Sequence, residues 1–376
     1  MNGPHLTWGE SQSEIIQRRP SSWRKDIYKI DMLTTQHPAL RCFWYPVAKV
    51  ADLNDAPRAI TLLGEALVLW RIGENEFGVV KDKCPHRSAK LSNGWIDQGN
   101  LVCPYHGWTY NGGGSCVRIP QLPQRKPSER IVVQSHRCKP KYGYVWVALD
   151  EPLHDIPEFP EASNPQFYQI DEFIEVWNCS GLRILENGLD NSHFAFVHRK
   201  TFGLAEMPEP APARYEDTDL GFNMYSDVLV NNPGPQKDNL DIKSEQTTRY
   251  MEHNWFAPFG RRMRIRYPND LVHTIITWAT PINDRQSLFI QFAFRNDGAS
   301  NPNLADIIAW DRAVTSEDRV VLESTDWNTP LDLNEEFHMA SDMPGIKMRR
   351  KINAIFEQFG NQTSNQHADV LDVNAY

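Results

Sequence analysis

Long apolar runs are missing from this 376-residue chain: the longest, such as Tyr142 to Leu149, are strand-length, far short of the roughly 20 residues that cross a bilayer. Residues 1–25 hold Glu10, Glu14 and several arginines but no apolar core of a secretory signal, so a cytoplasmic protein without a membrane partner is expected. Cysteine is scarce. Cys42, Cys84, Cys103, Cys116, Cys138 and Cys179 are too few for a disulfide scaffold of this length, and reduced thiols are expected. An excess of positive charge is also absent: 39 basic against 48 acidic residues leave −9, which excludes a chain built as a whole to grip nucleic acid. The glycine run at Asn111–Ser115 lacks the Lys-Ser/Thr and the helix of a phosphate loop, and reads as a hairpin turn. Apolar residues make up 40% and aromatics 11%, enough to build the cores of two to three domains.

Four segments are expected. Residues 1–40 have no clear hydrophobic period and read as an extension. Over 41–152, short apolar runs (Trp44–Val50, Ala59–Leu63, Ala66–Ile72, Phe77–Val80) alternate with turn residues, the pattern of a small antiparallel β domain. Over 153–360, helices mix with strands. Ser180–Asn191 and Leu304–Ser324 read as helices, the latter with Leu304, Ile307, Ile308, Val314, Val321 and Leu322 in one sector. Strands are expected at Met263–Tyr267, His273–Thr280 and Ser287–Arg295, and polar loops at Pro208–Asp219 and Asn231–Gln246. Residues 361–376 read as a frayed polar tail.

Cys84-Pro-His86 and, sixteen residues after Arg87, Cys103-Pro-Tyr-His106 each offer one thiol and one imidazole. A finger-type zinc site wants paired cysteines and paired histidines. A Rieske 2Fe–2S cluster has one iron on two thiolates and the other on two imidazoles, so two mixed loops satisfy it directly.

A second constellation lies in Asp190-Asn-Ser-His193-Phe-Ala-Phe-Val-His198. Asp190 and His193 are i, i+3 neighbours on a helical face, whereas His198 is about 140° round from His193 on a regular helix. The imidazoles can share an ion only if the helix ends near His193. Two histidines and a carboxylate with open positions form the facial triad of non-haem Fe(II) oxygenases. In the 304–324 helix, Asp318 and Asp311 both lie within the apolar sector, with Glu317 at its edge and Glu323 outside; period alone leaves Asp318 and Asp311 open.

Together, Phe43–Val47, both Cys/His loops, Glu186–His198 and Ser316–Glu323 resemble the catalytic α subunits of Rieske non-haem iron oxygenases. The likeness is greatest to the homotrimeric N-demethylases and saxitoxin-pathway hydroxylases, on Cys84–Ser92 and Ser192–His198. It selects Asp318 over Asp311. The resemblance implies an α+β protein: an all-β Rieske domain, then a helix-grip domain of antiparallel sheet around a long helix. It implies a 2Fe–2S cluster on Cys84, His86, Cys103 and His106, and Fe(II) on His193, His198 and Asp318. In the implied head-to-tail trimer, Asp190 links His193 to His106 of a neighbouring subunit. Electrons would come from NAD(P)H through a flavin/iron–sulfur reductase or ferredoxin, with O2 as co-substrate. The expected reaction is hydroxylation or oxidative dealkylation of a small organic molecule; ring cis-dihydroxylation is the alternative within the class, and a Rieske electron carrier the alternative outside it. Residues 81–141 hold eleven Lys/Arg against three acids, +8 where the rest of the chain carries −17, and this cluster-bearing stretch is expected to receive an acidic donor.

Overall fold

The computed structural model describes residues 34–298 and 304–371, and in it the short apolar runs of the first half become ten strands. These are β1 (Tyr45–Lys49), β2 (Arg58–Leu62), β3 (Glu65–Arg71), β4 (Phe77–Lys81), β5 (Trp95–Asp97), β6 (Asn100–Val102), β7 (Thr109–Tyr110), β8 (Cys116–Arg118), β9 (Arg137–Lys141) and β10 (Tyr144–Ala148). They form three small antiparallel sheets, ordered β1-β10-β9, β2-β3-β4 and β5-β6-β7-β8. The glycine run turns the β7–β8 hairpin, as expected.

In the second half, β11 (Tyr168–Trp177), β12 (Ala213–Thr218), β13 (Gly221–Asn231), β14 (Gln246–Phe256), β15 (Gly260–Arg266), β16 (Val272–Asn283) and β17 (Gln286–Arg295) form one seven-stranded antiparallel sheet. Its order is β11-β17-β16-β15-β14-β13-β12. The helices are α1 (Pro160–Ser163), α2 (Gly181–Leu189), α3 (Phe194–Val197), α4 (Gly234–Leu240), α5 (Leu304–Leu322) and α6 (Met343–Leu371).

Strand β16 is buried along ten consecutive residues from Val272 to Pro281, because both of its faces are covered. On one face His273, Ile275 and Thr277 meet a cavity shared with α2 and α5. On the other, Trp278 packs edge-on against Trp146 of β10, with ring centroids 4.9 Å apart, and Thr280 donates to the Pro46 carbonyl at 2.7 Å. One hydrophobic core therefore runs through both halves. Gly260 is needed under Trp278: a Cβ there would fall 2.3 Å from the indole.

Several expectations are corrected. Ala213–Thr218 is an edge strand rather than part of a loop; it reads as polar because it is largely exposed. A short helix, α4, interrupts the expected 231–246 loop and turns Gln236 and Leu240 into the cavity. On α5 the buried line runs through Ile307, Asp311 and Leu322, while Leu304 and Val321 are exposed. Polar residues facing the cavity had displaced the apolar sector from its true position. Helix α6 continues to Leu371 instead of fraying from 361. Residues 1–33 of the expected extension lie outside the described residues; just after them, His37 stacks on Phe356 of α6 at 3.7 Å.

Candidate functional site

Two tight turns bring the four predicted cluster residues together. In the first, between β4 and β5, the Cys84 N–H donates to the Ala89 carbonyl and Ser88 N–H to Cys84 O. In the second, between β6 and β7, Cys103 N–H donates to Trp108 O and Gly107 N–H back to Cys103 O. Gly107 has φ +70°, a left-handed conformation that costs glycine little. The thiols of Cys84 and Cys103 face each other in a buried apolar cluster with Tyr110 and Leu101. The imidazoles point outward, with His86 and His106 centroids 4.6 Å apart, and Trp108 stacks flat on His86 at 4.3 Å. Tyr110 Oη lies 3.2 Å from Cys84 Sγ. Burial, followed by the neighbouring Cys84 thiol, pushes the Tyr110 pKa far up, so the phenol stays a hydrogen-bond donor. Two buried sulfurs and two outward imidazoles on paired loops fit the donor set of a 2Fe–2S centre.

The second constellation also converges, by a different local route from that expected. Helix α2 ends at Leu189 and Asp190 is its C-cap, so Asp190 and His193 do not share a helical face. Instead Asp190 folds over the following turn, accepting from Ser192 N–H at 2.7 Å and His193 N–H at 3.0 Å. The one-turn helix α3 then lies between His193 and His198, which occupy its two ends. The break in the helix is what the spacing requires. His193 Nε2 and His198 Nε2 stand 3.2 Å apart, and Asp318 Oδ1 from α5 lies 3.4 and 3.3 Å from them.

Each imidazole is locked from behind. His193 Nδ1 meets Asp190 Oδ2 at 3.0 Å, and His198 Nδ1 meets Glu317 Oε2 at 3.0 Å. Thr201 Oγ1 donates to the same Glu317 oxygen at 2.7 Å. A carboxylate on Nδ1–H fixes the tautomer that leaves Nε2 free as a ligand. Glu317 was placed only at the edge of the helix by period; its role comes from the fold bringing His198 alongside, for which the helical sector carried no signal. Asp318 Oδ1 is buried with no hydrogen-bond partner among the described residues. A triangle with sides of 3.2–3.4 Å has its centre about 1.9 Å from each corner, close to metal–nitrogen and metal–oxygen distances of roughly 2.0–2.2 Å.

The electrostatics agree. Burial opposes a proton on His193, but the Asp190 and Asp318 carboxylates outweigh it and push its pKa up to about 9. Asp318 is driven well below the carboxylate range: burial works against this, but the close imidazoles of His193 and His198 prevail. The same carboxylates that favour a proton here also favour a metal cation. In a second group, Glu172, His273 and Asp311, the donor atoms also come close enough for one ion, and its His273 and Asp311 line the same cavity. Asp311, the alternative to Asp318 by period, therefore belongs to this second group. No helix among the described residues is long and apolar enough to cross a membrane.

Comparison with known proteins agrees with both halves. Residues 43–138 match the Rieske [2Fe-2S] domain and residues 177–358 the vanillate O-demethylase oxygenase C-terminal domain. Methylxanthine N3-demethylase NdmB of Pseudomonas putida is 30% identical over 325 residues, covering 83% of this chain and 88% of the relative. Methylxanthine N1-demethylase NdmA of the same organism is 28% identical over 338 residues, covering 87% and 92%. The solved NdmA structure superposes with a TM-score of 0.75 at 26% identity, over 87% of this chain and 94% of that one. Dicamba monooxygenase shares the fold at 21% identity and a TM-score of 0.74 over 85% and 98%. The chain belongs to the Rieske non-haem iron oxygenases: it is an O2-dependent oxidoreductase with a Rieske cluster and a mononuclear iron, supplied with electrons from NAD(P)H through a reductase, that hydroxylates or dealkylates a small organic substrate.

Proposed function

We propose that Cys84, His86, Cys103 and His106 hold the cluster, that His193, His198 and Asp318 hold the mononuclear iron, and that the chain is a monooxygenase removing a methyl group from, or hydroxylating, a small molecule. The observation carrying this reading is the triangle of His193, His198 and Asp318, with both histidines locked by carboxylates, in the wall of a largely apolar cavity. Held by these three residues, ferrous iron would supply one-electron chemistry toward O2. The protein's own residues do the rest: Asp190 and Glu317 hold the imidazoles, while Phe194, Phe202 and Leu322 line the cavity and limit water. At a methyl carbon on nitrogen or oxygen, hydroxylation yields a product that collapses with loss of formaldehyde.

Asp190 is proposed to do more than position His193. Its side chain is 28% exposed, and the cluster half packs on the face of β16 opposite the cavity. This supports electron entry from the cluster of another subunit, with His106 meeting Asp190 in a trimer. Residues 41–152 then act as the cluster domain of one subunit serving the 153–360 domain of the next. The test is to supply a surrogate reductase, screen methylated amines, ethers and heterocycles for coupled O2 uptake, and weigh the products. Loss of a methyl group or gain of one oxygen is expected; gain of two oxygens, or two irons per chain rather than the cluster pair plus one, would overturn the reading. Lys126 and Arg130 are exposed; Lys126→Glu with Arg130→Glu should slow reduction by an acidic donor at low salt, with the difference vanishing at high salt.

A further inference from the structure

The cavity has a second, polar pole. Asp318 and Asp311 are seven residues apart on α5, so the pole lies about 10 Å along the helix from the His193–His198–Asp318 triangle. Ile265, Met263 and Ile275 contribute apolar lining to the same cavity. Asp311 faces Glu172 and His273, with Asp311 Oδ2 3.3 Å from His273 Nε2. Strand alternation turns Arg249 of β14 to the same side, where it lines the cavity.

Arg249 is 6% exposed. Its guanidinium lies over the Phe202 ring at 4.2 Å, and no ion pair or hydrogen bond to it occurs among the described residues, its Nε being buried and unmatched. Asp311 Oδ2 and Gln236 Oε1 are likewise buried without a hydrogen-bond partner. Buried donors and acceptors left open are costly, the more so when charged, which is tolerable when a ligand completes them.

The charges at the pole decide what that ligand can be. Burial pushes the carboxyls of both Asp311 and Glu172 up, Asp311 to about 6, and two carboxyls this close share one proton, which leaves one negative charge on the pair. His273 is held neutral by burial. Arg295 is matched by Asp297. What remains is the Arg249 cation opposite the single negative charge of the Asp311–Glu172 pair. A bare carboxylate would suit Arg249 but meet Asp311; a bare amine would suit Asp311 but meet Arg249.

We infer that Arg249 and Asp311 form the specificity pole of the substrate site and select a molecule with an apolar body and a head, remote from the reacting carbon, that is neutral or zwitterionic and presents both an acceptor oxygen and an N–H donor. This rests on the reading of His193, His198 and Asp318 as the place of reaction. Its test does not require turnover. Four probes share a methoxyphenyl body and differ in the head: p-methoxybenzamide, O-methyltyrosine, p-methoxybenzoate and p-methoxybenzylamine. Binding to the anaerobic reduced holoenzyme is measured by calorimetry, with iron content and cluster spectrum recorded for each variant.

The amide or the zwitterion should bind at least about tenfold more tightly than the benzoate and the benzylamine, a difference of ~1.4 kcal/mol. Arg249→Met should move the preference toward the benzylamine and Asp311→Asn toward the benzoate, with iron and cluster retained. A misfolded variant loses all four probes together and cannot mimic this opposite shift. No preference among the probes, or the same preference in both variants, overturns the inference. Failure of the underlying reading shows separately, as a missing third iron or as bound probes that never yield product with a competent reductase.

Discussion

Removing Glu317 tests whether the carboxylate behind His198 is part of the metal site. The carboxylate makes two contacts through one oxygen, to His198 Nδ1 at 3.0 Å and Thr201 Oγ1 at 2.7 Å, and His198 is 2% exposed, so water does not readily replace it. A partner of this kind is worth roughly 10–100-fold in metal affinity, or ~1.4–2.7 kcal/mol. Glu317→Gln keeps a carbonyl oxygen able to accept from both groups and loses only the charge, so it should fall near the tenfold end. Glu317→Ala loses the charge, both hydrogen bonds and the tautomer constraint, and should approach a hundredfold. Thr201→Val removes one neutral contact and should cost less than either. The assay is the rate of iron transfer to a ferrous chelator, with the cluster's visible absorbance as the internal reference. Loss of iron at the parental rate in Glu317→Ala, or parallel loss of the cluster, would refute the assignment of Glu317 as the group that holds His198 for metal.

Asp190→Asn should leave cluster and mononuclear iron largely bound yet nearly abolish product formation, seen as normal iron content with a stalled single-turnover oxidation of the cluster; normal turnover removes Asp190 from the electron path. Mixing Cys84→Ser chains with Asp318→Ala chains should restore activity that neither has alone, because each assembly then contains an intact cluster next to an intact iron site; no recovery after verified subunit exchange counts against electron entry between subunits. Arg262 holds the buried Glu161 with a 2.5 Å contact, and Arg262→Met should cost about 3–5 kcal/mol by stranding that carboxylate, read as a lower urea midpoint. Burial works against the Glu161 anion, but Arg262 prevails and depresses its pKa. The pair's contribution is therefore complete above the unfolded glutamate value of roughly 4.3 and is lost as pH falls through the lower folded value, so the Arg262→Met deficit should shrink in acid.

The proposed cluster residues were legible because each loop is local: a Cys and a His two or three residues apart can be seen without knowing where the chain goes next. The His193–His198 pair was legible for the same reason, although the actual device, a C-capping Asp190 followed by one turn of helix, differs from a shared helical face. Asp318 and Asp311 could not be separated by period because both face the cavity, two turns apart, at its opposite poles. Glu317 and Arg249 depend on contacts across 119 residues or on the sheet's inward face, which no local pattern specifies. Strand β12 and helix α4 were obscured by polarity, the first as an exposed edge and the second as a short insertion between β13 and β14.

The placement of the two halves bears on why the electron path is proposed to cross between subunits. Trp146 and Pro46 of the first half cover the outer face of β16, while its inner face belongs to the cavity. The body of the cluster half and the pocket are thus separated by a sheet with a common core, which resists the hinge motion that could bring one chain's own cluster round to its own iron. The groups that would have to meet are both accessible. His106 lies beside Tyr105, which is 61% exposed, and the Asp190 side chain reaches solvent even though its two oxygens accept from Ser192 and His193. A fixed internal separation combined with two outward-facing halves of a junction is economical only if another copy supplies the missing half. In the proposed assembly Asp190 would link the incoming imidazole to His193 through one carboxylate; against the effect of burial, His193 and Ser192 depress its pKa and keep that carboxylate ionised.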